Sequence, residues 1–284
     1  MIDRFHLDKV IALALEEDMP LGDITTDSLV LPGTRARGVL AAKADGVLAG
    51  LDVARRVFEI MDPGVDFHPF FRDGDRIHRG DRIARVEGDA RGLLRAERTA
   101  LNLLQRMSGI ASRTAQYVHQ VHGLPVRILD TRKTVPGLRL LDKYAVRAGG
   151  GGNHRFGLSD GVLIKDNHIV AAGGIGPAVA RARDRVPHTI RIEVEVETLE
   201  QVREALDSGA DILLLDNMDL ETMQAAVALV GGRALTEASG NMSLAGVRAV
   251  AETGVDLISV GELTHSVKAF DVSLRFQALD SAPG

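Results

Sequence analysis

One short segment of the sequence, from Asp130 to His168, concentrates side chains that could do chemistry. It is interrupted by four consecutive glycines, Gly149 to Gly152. The whole chain has a formal net charge of -5, so this group of cations stands out against an acidic background. Cations packed this densely repel one another unless an anion neutralises them, and we therefore expect a small polyanionic ligand. The cationic residues are Arg132, Lys133, Arg139, Lys143, Arg147, His154, Arg155, Lys165 and His168.

Polar residues also follow each apolar strand pattern in the second half of the chain. The carboxyl ends of parallel strands meet at one edge or mouth, so these residues would face a common site. They are Arg132 and Lys133 after the first predicted strand, Lys165 after the second, Glu195 at the third, Asp216 after the fourth, Ser239, Gly240 and Asn241 after the fifth, and Gly261 after the sixth. The last four suit a phosphate held by backbone amides at helix starts. The pattern predicts a site that binds an anion on one side and holds a metal or positive charge on the other.

Hydrophobic periodicity predicts the elements that position these residues. Leu7 to Asp18 has helical spacing, whereas Arg37 to Arg91 has short apolar runs and turn residues typical of an antiparallel sheet, with one helix near Leu51 to Ile60. The longest helical pattern is Leu93 to Val121, with Gly109 as a possible break. Beyond it, about six strands alternate with helices, which predicts parallel βα units. An α/β barrel is favoured, and a doubly wound sheet stays open because periodicity does not show closure.

Composition narrows the function classes. A chain of 284 residues with 45% hydrophobic content can form one large domain or two smaller ones. The absence of cysteine excludes disulfides, thiolate metal sites and cysteine nucleophiles. The acidic balance argues against general nucleic-acid binding, and no apolar run approaches the length of a membrane span. The opening residues lack the features of a secretory signal, so we expect a cytoplasmic protein.

Three of the cations also have a purely structural interpretation. Arg98 lies within the long helical pattern beside Glu97, and by periodicity alone it is a solvated helix residue. Arg132 could make a bidentate pair with a carboxylate and Lys133 could bind a phosphate. Alternatively, both are neutralised locally by Asp130.

Other candidates are similarly open. Lys165 follows the apolar run GVLI, where a barrel interior would leave it little water, which favours an anion contact. His168 is expected to orient a loop or cap a helix. The glycines from Gly149 to Gly152 permit positive φ and could expose N–H groups to an anion. Glu195 and Asp216 could bind Mg²⁺ directly or through water, hold ribose hydroxyls, or pair with the cations.

Several segments taken together resemble the quinolinate phosphoribosyltransferase family. They are GDITTD (22–27), AERTALN (96–102), LDTRKTVPGLRLLDKYAVRAGGGGNHRFGLSDGVLIKDNH, EVEVETLEQ, LLLDNM, EASGN and ISVGELTHS. The resemblance spans nearly the whole chain, and its central motif is long and specific. Ala148 departs from the pattern, since many relatives have cysteine there, but the chemistry implied below needs no thiol.

The resemblance implies two domains. Residues 1–108, joined by the C-terminal segment 267–284, would form an α/β sandwich, and residues 109–266 an incomplete, open α/β barrel of the type II phosphoribosyltransferase kind. It also implies a homodimer, or a hexamer of dimers, with sites formed between subunits. Arg98 then matches the arginine that reaches into the neighbouring subunit to hold a substrate carboxylate.

The resemblance further assigns roles to the strand-end residues. Those similar to the family's quinolinate contacts are Arg132, His154, Arg155 and Lys165, with Lys133 shared toward the phosphoribosyl donor. Glu195 and Asp216 match residues near the ribose and Mg²⁺. The phosphate would be held by Ser239, Gly240, Asn241 and Gly261. The expected catalytic set is Lys133, Lys165, Glu195 and Asp216.

The implied reaction is transfer of ribose 5-phosphate from phosphoribosyl pyrophosphate to quinolinate, with decarboxylation, in de novo NAD biosynthesis. Its products are nicotinate mononucleotide, pyrophosphate and CO₂, and a lysine or water is the expected proton donor after CO₂ leaves. One alternative is a paralogous phosphoribosyltransferase with another acceptor, as in molybdenum-transport-associated proteins. A second is a non-catalytic barrel that binds a sugar phosphate. The intact NHR and LIKDNH segments favour quinolinate, and the acids opposite the cations argue against the non-catalytic barrel.

Overall fold

The computed structural model describes residues 2–279, which fold into two compact units. Unit 1 contains the chain up to Ala115, the segment Val135–Gly150 and the chain from Ser266 onward. Unit 2 contains Gln116–Thr134 and Gly151–His265. The domain division at 108/109 and 266/267 stays a prediction, and the compact units differ from it by placing Val135–Gly150 in unit 1 instead of the barrel.

Helices and strands alternate along the chain. The helices are α1 (Arg4–Asp18), α2 (Ile24–Leu29), α3 (Leu51–Met61), α4 (Ala90–Gln120), α5 (Arg139–Ala148), α6 (Asp166–Ala172), α7 (Ile175–Arg185), α8 (Leu199–Asp207), α9 (Leu220–Val230), α10 (Val247–Glu252) and α11 (Glu262–His265). The strands are β1 (Arg35–Ala42), β2 (Gly46–Val47), β3 (Asp66–Pro69), β4 (Arg76–Ile77), β5 (Arg82–Asp89), β6 (Arg127–Leu129), β7 (Val162–Ile164), β8 (Ile192–Val196), β9 (Ile212–Asp216), β10 (Leu235–Ser239), β11 (Leu257–Ser259) and β12 (Val272–Ala278).

Unit 1 is built on an antiparallel sheet in the order β12-β1-β5-β3, as the sequence between Arg37 and Arg91 predicts. Leu40 of β1 is fully buried and lies between Leu274 of β12 and Ala84 of β5. Alternate residues of a strand point to opposite faces, so the strand buries one face in the core of the unit. Helix α1 begins where the Asp3 side chain accepts a hydrogen bond from the His6 N–H, at 3.1 Å.

Gly109 lies inside α4 without interrupting it. The sequence-based suggestion of a helix break there is wrong. A Cβ at this position would lie 2.3 Å from the Lys268 carbonyl oxygen, so only glycine lets the two backbone segments approach this closely. The glycine therefore serves close packing within unit 1.

Unit 2 is built on a six-stranded parallel sheet in the order β6-β11-β10-β9-β8-β7. Its inner strand β9 reads ILLLD, and Val194, Leu213 and Ile258 of the inner strands are fully buried. Within the described residues no strand pairing joins β6 to β7. An isolated bridge connects Leu129 of β6 to Gly152, which lies outside β7. The strands therefore form an incomplete barrel, which confirms the predicted fold class.

Capping residues of unit 2 fix where strands give way to helices. Thr198 and Gln201 form a reciprocal capping box at the start of α8, and the Asp219 side chain accepts from the Thr222 N–H at 2.7 Å before α9. Each cap follows a strand by a few residues. The side chains at the strand ends are consequently held on short, well-defined connections.

Candidate active site

The carboxyl ends of the unit 2 strands surround one pocket of about 600 Å³. It is lined by all the predicted site residues except Arg98 and Gly261, namely Arg132, Lys133, His154, Arg155, Lys165, Glu195, Asp216, Ser239, Gly240 and Asn241. Strand order explains this convergence, because residues distant in sequence occupy adjacent strand ends. The roles of these residues stay predictions, whereas their location is now known.

Three cations on the pocket wall keep contact with solvent, and we call Arg132, Lys133 and Lys165 the cationic rim. The Lys165 side chain is 46% exposed, so the expectation that it has little water is wrong. Its ammonium contacts the Glu195 carboxylate, whose side chain is only 13% exposed. His168 acts as predicted for a capping residue, since its Nδ1 accepts from the Lys165 N–H at 3.0 Å.

Lys133 is held through its backbone. Its N–H donates to Thr131 Oγ1 at 3.0 Å, and its carbonyl oxygen accepts from Thr264 Oγ1 at 2.9 Å. A Cβ on Gly261 would lie 3.1 Å from Lys133 Cδ and 3.1 Å from a ring carbon of His265. Gly261 thus leaves the space that the lysine side chain occupies.

Arg155 lies deeper than the cationic rim. Its guanidinium donates to the Gly161 carbonyl oxygen at 3.0 Å. Burial lowers the pKa of Arg155, and neighbouring Arg132 lowers it further, while Glu193 and Asp160 oppose the effect. Two arginines held near each other are suited to a ligand with more than one carboxylate.

Asp130 anchors the chain that carries His154 and Arg155. It is fully buried and accepts hydrogen bonds from Asn153 Nδ2 at 2.6 Å and from the His154 N–H at 2.9 Å. The Arg155 N–H donates to His154 Nδ1 at 2.7 Å. This hydrogen bond requires an unprotonated Nδ1, so the neutral imidazole carries its proton on Nε2.

Two acids that are not among the predicted site residues lie beside that Nε2 atom. Glu193 Oε2 is 3.2 Å from it and Glu237 Oε1 is 3.5 Å from it. The two carboxylate side chains are 6% and 2% exposed. We call His154, Glu193 and Glu237 the buried cluster. The only sequence signal for it is an acidic residue inside a short strand, as in IEVEV and LTEAS.

The two acid groups of the pocket differ in their fitness for a metal ion. The ligand atoms of the buried cluster lie within 4.8 Å of one another, as in a metal site. However, a protonated Nε2 has no lone pair for a metal, so the tautomer argues against one there. Glu195 and Asp216 supply hard carboxylate oxygens beside a pocket suited to phosphates, which fits Mg²⁺.

The loop after β10 is shaped by Asn217. The Asn217 side chain donates to Asp216 Oδ2 at 2.9 Å and accepts from Asn241 Nδ2 at 3.4 Å. Gly240 has φ of 95°, and a Cβ there would lie 2.1 Å from Asn217 Oδ1. Helix α10 begins only at Val247, so the expected helix start at residues 239–241 is instead the end of β10 and the loop after it, whereas Gly261 directly precedes α11.

The glycine run does not form the expected anion cradle. The N–H groups of Gly149, Gly150 and Gly152 donate to the carbonyl oxygens of residues 145, 147 and 128 respectively. A Cβ on Gly149 would lie 2.4 Å from the Ala111 carbonyl oxygen, and one on Gly152 would lie 2.7 Å from Leu129 Cδ2. These two glycines allow close packing within their own units.

Arg98 belongs to unit 1, on helix α4, and its side chain is exposed. Arg139, Lys143 and Arg147 also belong to unit 1, on helix α5. The dense group of cations in the sequence is therefore divided between two units, and Arg132, Lys133, Arg155 and Lys165 are the lysines and arginines of the group that line the pocket.

Comparison with known proteins places the whole chain in one family. Residues 23–108 match the N-terminal domain of quinolinate phosphoribosyl transferase, and residues 110–275 match its C-terminal domain. The chain belongs to the quinolinate phosphoribosyltransferase family. Within residues 2–279, no helix has the length and apolar character needed to cross a membrane.

Individual family members resemble the chain over most of its length. A probable nicotinate-nucleotide pyrophosphorylase [carboxylating] of Bacillus subtilis is 44% identical over 273 residues, covering 96% of this chain and 94% of the relative. A mitochondrial quinolinate phosphoribosyltransferase [decarboxylating] of Nicotiana tabacum is 43% identical, covering 95% and 82%. The crystal structure of NadC from Streptococcus pyogenes is 44% identical, with a TM-score of 0.95 and 99% of both chains covered.

Proposed function

We propose that this protein is a pentosyltransferase that moves ribose 5-phosphate from phosphoribosyl pyrophosphate to the ring nitrogen of quinolinate. Loss of CO₂ then gives nicotinate mononucleotide, with pyrophosphate as the other product. The observation that carries this proposal is the pocket in which cations from the early strands oppose acids from the later ones, in a chain of this family. The product is a precursor for NAD biosynthesis.

The acceptor side of the pocket suits a dianion. Arg132 and Arg155 can each bind a carboxylate through paired N–H groups, and Lys165 adds a third positive charge. Both nitrogens of His154 already face protein groups. We therefore assign the contact of His154 with quinolinate to the ring carbon between the two nitrogens, and not to a ring nitrogen.

The donor side suits a sugar with phosphate groups. We assign Glu195 and Asp216 to the ribose and to Mg²⁺, directly or through water, with Lys133 next to the leaving pyrophosphate. When bound, Mg²⁺ supplies charge neutralisation for pyrophosphate. The carboxylates stabilise positive charge that develops on the ribose as its bond to pyrophosphate lengthens. The loop at residues 239–241 and Gly261 would hold the 5-phosphate, with no covalent intermediate on the protein.

We further propose a homodimer, alone or within a hexamer, in which Arg98 of a second copy completes the site. The Arg98 side chain is exposed and makes no hydrogen bond or ion pair with any residue between 2 and 279, so it is available to a partner. Unit 1 also exposes large apolar side chains close together in sequence, which is typical of an interface. They are Leu21, Ile24, Leu29 and Leu31, with 76% to 97% of each residue exposed. The cytoplasm is the proposed location.

An assay tests the reaction. Purified protein is incubated with quinolinate, phosphoribosyl pyrophosphate and Mg²⁺, and nicotinate mononucleotide and pyrophosphate are measured together. Nicotinate serves as the control acceptor because it lacks the carboxylate that is lost. We expect product from quinolinate only. Ligand binding without turnover would instead support the paralogue or the non-catalytic barrel.

A complementation experiment tests the shared site. The Arg98→Ala and Lys165→Ala variants should each be inactive, yet mixing them under conditions of subunit exchange should restore part of the activity. Recovery arises because one of the two hybrid sites contains both native residues. Exchange without recovery would contradict the assignment of Arg98 to a partner's site.

A further inference from the structure

The buried cluster contains two carboxylates beside a single imidazole proton. Within residues 2–279, Oε1 of Glu193 and Oε1 of Glu237 are both buried and have no hydrogen-bond partner. Two ionised carboxylates in such a site repel each other and lack the solvation that water would give them. One His154 Nε2–H does not satisfy both. A second proton on one of the carboxyl groups resolves the repulsion.

We place this proton on Glu237, because Glu193 Oε2 is the nearer acceptor of the His154 Nε2–H, at 3.2 Å against 3.5 Å for Glu237 Oε1. The pKa of Glu237 is raised to about 7, first by burial and then by the charges of Glu193 and Asp130. His154 and a hydrogen bond with Ser259 act in the opposite direction. These groups face Glu237 from β8, β11, the end of β6 and the loop after Gly152. Below pH 7 the group is mostly protonated, and above it the proton is progressively lost.

Glu237 forms part of the pocket wall, with 2% of its side chain exposed. Glu237 and His154 both line it, together with the proposed acceptor-binding residues Arg132, Arg155 and Lys165. The lysine is a poorer proton donor, because its charge contacts Glu195 and is needed for the acceptor's carboxylate. A carboxylic acid that burial keeps protonated near neutral pH is suited to act as a general acid.

The geometry points to Glu237 as the group that protonates the acceptor ring when CO₂ leaves. This inference rests on the proposed function. The bond between ring carbon C2 and its carboxylate breaks, and its electron pair stays on C2 beside the cationic ring nitrogen. C2 then takes the proton of the Glu237 carboxyl group, whose O–H electron pair stays on Glu237. The resulting carboxylate is reprotonated by solvent after the product leaves.

The Glu237→Gln variant tests this step, because glutamine keeps the shape and polarity of the side chain but has no acidic proton. Wild-type protein and the variant are mixed with quinolinate, phosphoribosyl pyrophosphate and Mg²⁺ in single-turnover rapid-quench experiments. Three species are measured: pyrophosphate, the nucleotide that still has both carboxylates, and nicotinate mononucleotide. Glu200→Gln, on the exposed start of α8, is the matched control.

We expect the variant to release pyrophosphate within about threefold of the wild-type rate while forming nicotinate mononucleotide about 100-fold more slowly. The dicarboxylated nucleotide should accumulate. A proportional loss of both steps, or no change in either, would overturn the role of Glu237. The control should behave as wild type in both measurements.

A measurement on the wild-type protein decides the matter if the variant does not fold. Above a pH of about 7 the ratio of nicotinate mononucleotide formation to pyrophosphate release should fall, because Glu237 loses its proton. A ratio that stays constant from about pH 6 to 8.5 would overturn the inference alone. Absence of any nucleotide with wild-type protein at every pH would overturn the proposed function, and this inference with it.

Discussion

The cationic rim and the buried cluster differ in physical character, although Arg132, Lys133 and Lys165 line the same pocket as His154 and Glu237. Arg132, Lys133 and Lys165 keep water around much of their charge, so their charge costs little in stability. Glu193 and Glu237 have almost no exposure, and their protonation states depend on each other and on His154. An exposed charge can be placed by a strand end alone, whereas a buried one needs partners from several strands. Substitutions in the two regions should accordingly affect activity and stability differently.

The largest expected effect comes from Lys165→Ala in the cationic rim. Loss of its charge should lower kcat/KM about 1000-fold, the size of effect seen when one preorganised charge-stabilising group is removed. Thermal unfolding should change little because the side chain is half exposed. A large drop in melting temperature would contradict the separation of function from stability in the rim.

Asp130→Ala should have the opposite effect to Lys165→Ala, with its main effect on stability. The substitution removes an acceptor from two hydrogen bonds, those of Asn153 Nδ2 and the His154 N–H, in a partly buried region. We expect the free energy of unfolding to fall by about 3 kcal/mol. Denaturant titration measures this directly, and Asp130→Asn, which keeps one acceptor, should lose less.

Arg132→Lys keeps the charge of the rim but removes its planar, paired donors. An ammonium does not form the bidentate pair with a carboxylate, so KM for quinolinate should rise about 30-fold, equivalent to about 2 kcal/mol. KM for phosphoribosyl pyrophosphate should stay within about twofold of wild type because only the acceptor contact changes. Steady-state kinetics with each substrate varied in turn give the two KM values separately. An equal increase in both KM values would argue for a donor-side role of Arg132.

Gly261→Ala should have the smallest of these effects. The new methyl group would be 3.1 Å from Lys133 Cδ, which must shift the lysine. A displacement on this scale should reduce kcat about 10-fold. Gly176→Ala in helix α7 is the matched control, since its Cβ meets nothing closer than Ser208 Oγ at 3.5 Å. Equal activity of the two variants would show that the space beside Lys133 is unimportant.

The sequence was sufficient to locate the rim, and the reason is geometric. Arg132 and Lys133 follow β6 and Lys165 follows β7, and parallel strands bring such ends together wherever the chain alternates strand and helix. The same periodicity predicted the six-stranded parallel sheet. It did not show whether the sheet closes, because closure depends on strand tilt and register.

The buried cluster could not be predicted in the same way. Glu193 lies on β8 and Glu237 on β10, with β9 between them in the sheet. Their meeting with His154 depends on this strand order, which periodicity does not give. The glycines were misinterpreted for a related reason. Gly109 and Gly149 are required by backbone oxygens of Lys268 and Ala111, contacts that no local pattern reports.

The pairing of β1 with β12 affects how the chain folds during its synthesis. Leu40 lies opposite Leu274, so the first strand of the unit 1 sheet receives its edge partner only after all of unit 2 has been synthesised. Until then one edge of β1 has unpaired N–H and C=O groups, which are open to pairing with other chains. Unit 2 is already complete in sequence by that time. We therefore expect truncation before Val272 to leave a barrel able to fold attached to an aggregation-prone sheet.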